Sequence, residues 1–212
     1  MEYAVQPWIA VVADAELPEG AADSVTLALL DGAEWWREQM GATFEVAPTV
    51  VYRSEHTFKE LRKRHGEINN IWFALQRAAD KAGVIDNCEA KRAHYMIGLG
   101  GEMGGGMVGS ENFGCQHILP GKAAITGGFA YTLLGENPQH HRHPAQPWFA
   151  DTRRNAIGAL MHELGHMFGD GASKPLDHSE AERNIMHAWW DWPTVSFTPE
   201  QIEQLKGSPF LR

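Results

Sequence analysis

Hydrophobic residues in the first 52 positions alternate between short apolar runs and a helical repeat. Residues 8–13 (W-I-A-V-V-A) form a continuous apolar, β-branched run that is typical of a buried strand. Apolar residues then recur at helical spacing up to Gly41, a residue type that commonly ends helices. The members of this repeat are Val25, Leu29, Ala33, Trp36 and Met40. Residues 43–52 return to strand character, and Pro48 predicts an edge strand or a bulge because proline donates no backbone hydrogen bond.

The middle of the chain carries helix-capping signals followed by two more apolar runs. Thr57 and Glu60 have the spacing of a capping box, which predicts a short helix. Residues 69–82 open on asparagine and repeat apolar side chains at helical spacing, so they predict a second helix. Residues 94–99 and 123–126 are short and apolar, and each predicts a strand.

The last third of the chain predicts two further helices. Residues 157–168 repeat apolar side chains at helical spacing, and Gly169 is a natural end for that helix. Thr198 followed by Pro199 predicts the start of a final helix. The order of strands and helices along the whole chain predicts an α/β fold of the α+β type, with a twisted mixed sheet.

Composition and charge narrow the range of partners. The 212 residues fit one domain, residues 1–212. The net charge is −9, and the densest basic run, residues 59–65, includes Glu60 and predicts a solvated helix face, so we expect no nucleic-acid partner. No apolar run approaches the roughly 18 residues that a membrane span needs. The start of the chain lacks a basic stretch followed by an apolar one, so we predict no signal peptide in this sequence, and a cytoplasmic location stays open.

The segment H-E-L-G-H at residues 162–166 carries the most specific chemistry. Its i, i+4 spacing puts His162 and His166 on one helix face, one turn apart, where both imidazoles reach a single ion. Glu163 lies next to the first histidine, in position to deprotonate a metal-bound water. A catalytic zinc usually takes three protein ligands and keeps a fourth position for water. The pattern therefore predicts a catalytic zinc whose third ligand comes from beyond Gly169.

Beyond this motif the chain resembles the metzincin metalloproteases, whose H-E-x-x-H-x-x-G-x-x-H motif is followed by a turn that contains methionine. The residue three positions after Gly169 is Ala172, which cannot bind metal. Leaving out residues 170–175 restores the spacing with His178, as in the matrixin form of the motif, and Met186 then falls where the Met-turn belongs. The resemblance thus implies His178 as the third zinc ligand and Met186 as a hydrophobic floor beneath the ion.

The same resemblance implies a zinc endopeptidase, with Glu163 as general base and acid toward a protein or peptide substrate. It implies an N-terminal lobe to about residue 169 and a C-terminal lobe over residues 170–212, with one Zn²⁺ ion between them. Five residues match family segments that hold the substrate, three on an edge strand and two on the wall of a side-chain pocket. They are Gly106, Met107 and Val108, and Trp189 and Trp190. Most relatives act outside the cell, so the resemblance also implies secretion, and we expect a monomer.

The lengthened loop leaves rival hypotheses open. Asp170 and Asp177 are alternative third ligands, since both offer carboxylate oxygens. If Glu200 or Glu203 of the final helix were the third ligand, the protein would be a gluzincin-type peptidase. A zinc closed by a fourth ligand, either His187 or Asp177, would indicate a non-catalytic binding module. Zinc-dependent hydrolysis of a non-peptide amide is a further alternative.

Two smaller points concern the cysteines and calcium. Cys88 and Cys115 are the only cysteines, and one disulfide or two thiols would fit the sequence equally well. Some metzincins also hold Ca²⁺, but no aspartate-rich loop in this chain indicates such a site.

Overall fold

The computed structural model of the chain describes residues 3–85, 92–99, 107–109, 122–125, 153–169, 176 and 183–212. These residues form a mixed α/β fold of the α+β class, in which six strands make one sheet and six α-helices pack around it. The strands are β1 (Ala4–Val11), β2 (Glu45–Val46), β3 (Val50–Arg53), β4 (Arg92–Leu99), β5 (Met107–Gly109) and β6 (Lys122–Ile125). The helices are α1 (Ala21–Met40), α2 (Phe58–His65), α3 (Ile68–Lys81), α4 (Arg153–Gly169), α5 (Ile185–Ala188) and α6 (Pro199–Leu205).

The sheet is mixed, as predicted, and most of its pairs are parallel. Strand β1 pairs in parallel with β4 on one side and with both β2 and β3 on the other. Strand β4 also pairs in parallel with β6, and β6 pairs with β5 in the antiparallel direction. The strand order is therefore β2-β1-β4-β6-β5, with β3 continuing the β2 edge.

Two prolines lie at the same break in this edge. Pro48 separates β2 from β3, which confirms the prediction of an interrupted edge strand. Strand β1 begins before the apolar run at residues 8–13 and includes Pro7, which the sequence pattern did not place in a strand. The carbonyl oxygens of Val5 and Val11 accept hydrogen bonds from this edge, at Ala47 and beyond β3, so position 7 faces the same side. Because Pro7 lies level with the gap between β2 and β3, its missing N–H removes no ladder bond.

Each face of the sheet covers its own buried core. Residues Val5, Ile9 and Val11 of β1 belong to a core shared with α1 and α4, whereas Trp8 and Ala10 belong to a core shared with α2 and α3. Both faces of β1 are buried, which is typical of parallel strands and explains its continuous apolar run.

Three of the predicted helix ends form as expected, whereas α3 begins at Ile68, before the asparagine predicted to open it, with Glu67 at its N-cap. Thr57 and Glu60 make a reciprocal capping box at the start of α2, and Thr198 makes another with Gln201 at the start of α6. Gly41 ends α1 with φ of 71°, a backbone conformation that glycine adopts without the strain of a side chain. No helix in the described part of the chain is long and apolar enough to cross a membrane.

The core between α1 and α4 is built on aromatic rings. The Trp36 ring lies 5.4 Å from that of Phe168 and 4.7 Å from that of Phe197. Gly32 of α1 lies directly against the Met161 side chain of α4, so a methyl group at position 32 would overlap it. The absence of a side chain at Gly32 therefore allows α1 and α4 to approach closely. This contact helps to fix the position of α4, which carries the histidine motif.

Candidate metal centre

Helix α4 is buried on more than one face. The apolar residues that the sequence assigned to its core face are all buried: Ile157, Leu160, Met161, Leu164 and Phe168. Ala156 and Met167 are buried as well, so the helix passes through the interior and does not lie on the surface. Within this apolar helix, His166 is only 9% exposed, and His162 and Glu163 are half-buried. A polar motif in such a place needs partners, because buried polar groups without them are costly.

The two histidines lie together on one face of α4, as their spacing predicts. Their ring centroids are 4.9 Å apart and their planes make an angle of 78°. Two imidazoles that share a tetrahedral zinc at Zn–N distances of about 2.0–2.1 Å place their ring centres about 5 Å apart. The observed separation of the His162 and His166 rings fits a shared zinc ion without rearrangement.

The His162 ring is oriented from outside the helix. Its Nδ1 lies 3.2 Å from the carbonyl oxygen of Ile185, which follows α4 in sequence by more than a dozen residues. A carbonyl only accepts hydrogen bonds, so Nδ1 carries the proton and Nε2 keeps its lone pair. A second hydrogen bond of this kind is what orients a metal-binding histidine. Nε2 of His162 is therefore the acceptor nitrogen of the ring.

The Ile185 carbonyl is held by a short turn that includes the predicted Met-turn residue. Asn184 accepts a hydrogen bond from the Met186 N–H at 3.0 Å, and the Ile185 N–H donates to Ser196 at 3.0 Å. The Met186 side chain is fully buried. A Cβ atom at Gly165 would lie 2.7 Å from the Met186 sulfur, so the missing side chain at Gly165 makes room for the methionine beneath the histidine pair.

The chain also returns to the end of α4 at Leu176. A Cβ atom at Gly169 would lie 2.6 Å from Cγ of Leu176, and Leu176 is 1% exposed. Leu176 therefore packs against the last turn of α4. The third ligand implied by the resemblance, His178, lies outside the described residues, as do its rivals Asp170 and Asp177.

Within the described part of the chain, no third histidine, cysteine or carboxylate joins His162 and His166 in a metal-binding group. The gluzincin candidates Glu200 and Glu203 are exposed on α6, and Glu203 pairs with Lys206. Helix α6 contacts the C-terminal end of α4, where Gln204 donates to the Gly169 carbonyl at 3.0 Å. The exposure of both glutamates counts against their being zinc ligands.

A tyrosine that the sequence did not single out lies within electrostatic range of the motif glutamate. Tyr95 of β4 is fully buried, and its hydroxyl has no hydrogen-bond partner among the described residues. Burial, and secondly the negative charge of Glu163, raise the pKa of Tyr95 well above its usual value. The phenol therefore stays protonated, as a donor near a carboxylate. Tyr95 lies in an ordinary apolar strand run, and nothing in that run marked it as a neighbour of Glu163.

The tryptophan segment after Met186 packs on the N-terminal half of α4. Gly158, one turn before His162, lies against the Trp189 carbonyl, and a Cβ atom there would lie 2.9 Å from Cβ of Trp192. Arg154 donates to the carbonyls of Trp192 and Asp191. Trp189 and the neighbouring Trp190 are half-buried, with ring centroids 5.6 Å apart. The segment that carries Trp189 thus contacts α4 one turn before His162.

The predicted substrate strand is described only in part. Gly106 lies outside the described residues, whereas Met107 and Val108 form β5 and pair with Ala124 and Ala123 of β6. Strand β5 ends the sheet order among the described strands and contacts α4. His187 is half-buried, and its ring centroid lies 5.8 Å from that of Trp190.

No family model and no curated protein matches the sequence. Solved structures do match, and one of them is the crystal structure of wild-type OgpA from Akkermansia muciniphila, with a TM-score of 0.57. The two sequences are 14% identical, and the alignment covers 99% of this chain and 62% of OgpA. The chain therefore corresponds to less than two thirds of the length of OgpA, and at this identity the likeness concerns the fold alone.

Proposed function

We propose that this protein is a zinc-dependent endopeptidase of the metzincin type. The observation that carries the proposal is the geometry of the histidine pair. His162 and His166 share one face of α4 with ring centroids 4.9 Å apart, and the hydrogen bond to the Ile185 carbonyl makes Nε2 the acceptor nitrogen of His162. Imidazole nitrogen is a preferred zinc ligand, and this donor set with one further ligand would leave a position for water.

His178 is the third ligand in this proposal. Its support is the position of Leu176, which is held against Gly169 and lies two residues before His178 in the sequence. The turn at Asn184, with Met186 buried against Gly165, supports the assignment of a Met-turn in the metzincin arrangement.

Glu163 performs the proton transfers in this proposal. Zinc, when bound, supplies a Lewis acid that lowers the pKa of water and polarises the scissile carbonyl. Glu163 accepts the proton of the attacking water and donates it to the leaving amine. Its half-buried position in an apolar helix shields that carboxylate from bulk water, and Tyr95 provides a protonated phenol nearby.

The substrate is a protein or peptide in an extended conformation. Strand β5, with Met107 and Val108, ends the described sheet and contacts α4, which supports backbone pairing with a substrate strand. Trp189 and Trp190, which pack near the N-terminal side of His162, are proposed as the wall of a side-chain pocket. An extracellular site of action belongs to the same proposal and rests on the family resemblance.

Zinc content and proteolysis, measured on the same samples, test this function. The wild type should hold one zinc per chain and cleave an unstructured protein such as casein. Glu163→Gln should keep zinc and lose cleavage, whereas His178→Ala should lose both. His65→Ala, a histidine on α2, is the matched control and should change neither. If wild-type protein held zinc yet cleaved no peptide in a diverse library, the proposal of peptidase activity would be wrong. If His178→Ala kept its zinc, the third ligand would lie elsewhere.

A further inference from the structure

A cavity lies on the side of the sheet opposite α4. It has a volume of about 550 Å³ and lies between α2, α3 and the segment that follows β3. Known small-molecule sites have volumes of about 300–1,000 Å³. Its floor is apolar, formed in part by Leu61 and Leu75, which are 4% and 1% exposed. These two leucines belong to the core beneath α2 and α3, and not to the core that contains α4.

The lining of this cavity is strongly basic in a chain that is acidic as a whole. Four permanent cations line it, against a single carboxylate, that of Glu55, whereas the chain carries a net charge of −9. The cations are Arg53, Arg64, Arg77 and Lys81. They come from three different elements, β3, α2 and α3, so no single basic run in the sequence produces the cluster. The prediction that residues 59–65 form a solvated helix face is confirmed, and Arg64 and His65 at the end of that helix also line the cavity.

One of these cations is held in place by a neighbour. Nη1 of Arg64 lies 2.7 Å from Nε2 of His56. Arginine only donates, so Nε2 of His56 accepts and its Nδ1 carries the proton. Both residues line the cavity. A planar guanidinium held in this way is suited to bind oxyanion groups through two hydrogen bonds.

We propose that this cavity binds a small ligand that carries at least two oxyanion groups, such as phosphate or carboxylate groups. The cations from β3, α2 and α3 bind the oxyanion groups, and the leucine floor contacts the body of the ligand. The inference does not depend on zinc, because the cavity and α4 lie on opposite faces of the sheet. It assigns the chain a binding site separate from the proposed peptidase centre.

Titration calorimetry of the full chain with pyrophosphate, and separately with citrate, tests the proposal. Pyrophosphate presents two phosphate groups and citrate three carboxylates, so the two arms distinguish the oxyanion chemistries. We expect saturable one-to-one binding of at least one of them at low ionic strength, weakened by added NaCl. The double substitution Arg53→Gln with Lys81→Gln should weaken it roughly 10- to 100-fold, because it removes two charge-assisted contacts.

The matched control is Lys59→Gln with Lys63→Gln. It removes the same charge from exposed positions of α2 that do not line the cavity. Binding should stay within about twofold of the wild type, because exposed charges outside a site contribute little. Equal weakening by both double substitutions would show general attraction to a basic surface and overturn the proposal. The absence of saturable binding of both probes to wild-type protein would overturn it too. Thermal unfolding of each variant confirms that it is folded.

Discussion

On the α4 face of the sheet, segments approach one another through glycines, whereas on the α2–α3 face they leave a cavity lined by charged side chains. Gly32, Gly158 and Gly165 each lie against a side chain or a carbonyl that leaves no room for a methyl group. On the other face, Arg53, Arg64 and Lys81 surround open space. The first arrangement fixes positions through contact, and the second leaves room for a ligand.

The two faces of the sheet should therefore tolerate different substitutions. On the α4 face, an added methyl group should displace the neighbouring atoms and disturb the histidine pair, because protein interiors are close-packed. On the α2–α3 face, substitutions of exposed side chains should change ligand binding in the cavity without displacing packed neighbours. We therefore expect substitutions on the α4 face to have larger effects on stability and activity than substitutions on the α2–α3 face.

The largest effect is expected for Glu163→Gln. The amide cannot accept the proton of the attacking water, so turnover should fall by about 10²–10⁴-fold, the usual contribution of a general base. The change is nearly isosteric, so zinc content and the thermal unfolding midpoint should stay close to those of the wild type. The measurement is the initial rate of peptide cleavage at saturating zinc. Activity comparable to the wild type would remove Glu163 from the mechanism.

Gly158→Ala should be the most destabilising of the small substitutions on the α4 face. The new methyl group would overlap the Trp189 carbonyl, which is backbone and cannot rotate away. Overpacking of this kind costs about 1–3 kcal/mol of unfolding free energy. Chemical denaturation measures it. Gly207→Ala is the control, since the nearest atom to its Cβ would be at 3.6 Å, and it should cost much less. Equal effects at both glycines would show that the α4 face yields more easily than its packing suggests.

Asn184→Ala should weaken zinc binding through the turn that orients His162. The substitution removes the acceptor of the Met186 N–H, which costs about 1 kcal/mol of stability. It should also loosen the Ile185 carbonyl, and loss of such an orienting contact lowers metal affinity by about 10–100-fold. Competition with a zinc chelator measures the affinity. Unchanged affinity would mean that His162 keeps its orientation without this turn.

Tyr95→Phe should stabilise the protein slightly. The phenol oxygen is buried without a hydrogen-bond partner in the described part of the chain, so its removal should raise the unfolding free energy by about 1 kcal/mol. Zinc content should not change. Denaturation of wild-type and variant protein under identical conditions gives the difference. A loss of stability accompanied by slower cleavage would instead show that the hydroxyl finds an acceptor in solution, and Glu163 is the carboxylate near it.

Thr57→Ala, on the α2–α3 face, should have the smallest effect and leave zinc content unchanged. Loss of the N-cap costs about 1 kcal/mol. The Thr57 backbone N–H, and then its hydroxyl, lower the pKa of Glu60 below its usual value by hydrogen bonding. A lowered folded-state pKa contributes stability that is present above the unfolded pKa and lost as the pH falls through the folded one. The stability difference between wild type and variant should therefore shrink below about pH 4. A difference that does not depend on pH would contradict the charged capping box.

Local signals predicted the helices and the motif well. The boxes at Thr57 and Thr198 and the stop at Gly41 involve residues within one turn of each other, so their physics is contained in a few adjacent positions. The same is true of the i, i+4 spacing of His162 and His166, which brings the two rings together in any α-helix.

Contacts between segments that are distant in the chain could not be predicted from the sequence. The extent of β1 depends on pairing with β4, more than eighty residues away, and on a gap in the edge that accommodates Pro7. The neighbourhood of Tyr95 and Glu163 depends on how α4 lies over the sheet. The cations at positions 53, 64, 77 and 81 are spread over three elements and become one cluster only after folding.

The positions of His162, His166 and the candidate general base Glu163, and the helix that carries all three, follow from the sequence alone, because periodicity and capping act over a few residues. Which ring nitrogen of His162 donates to the Ile185 carbonyl, and which glycines of α4 must stay small, depend on the tertiary structure. It also decided that basic side chains far apart in the chain surround one cavity. Those features depend on backbone segments that meet through packing, and a linear pattern of residues does not record which segments meet.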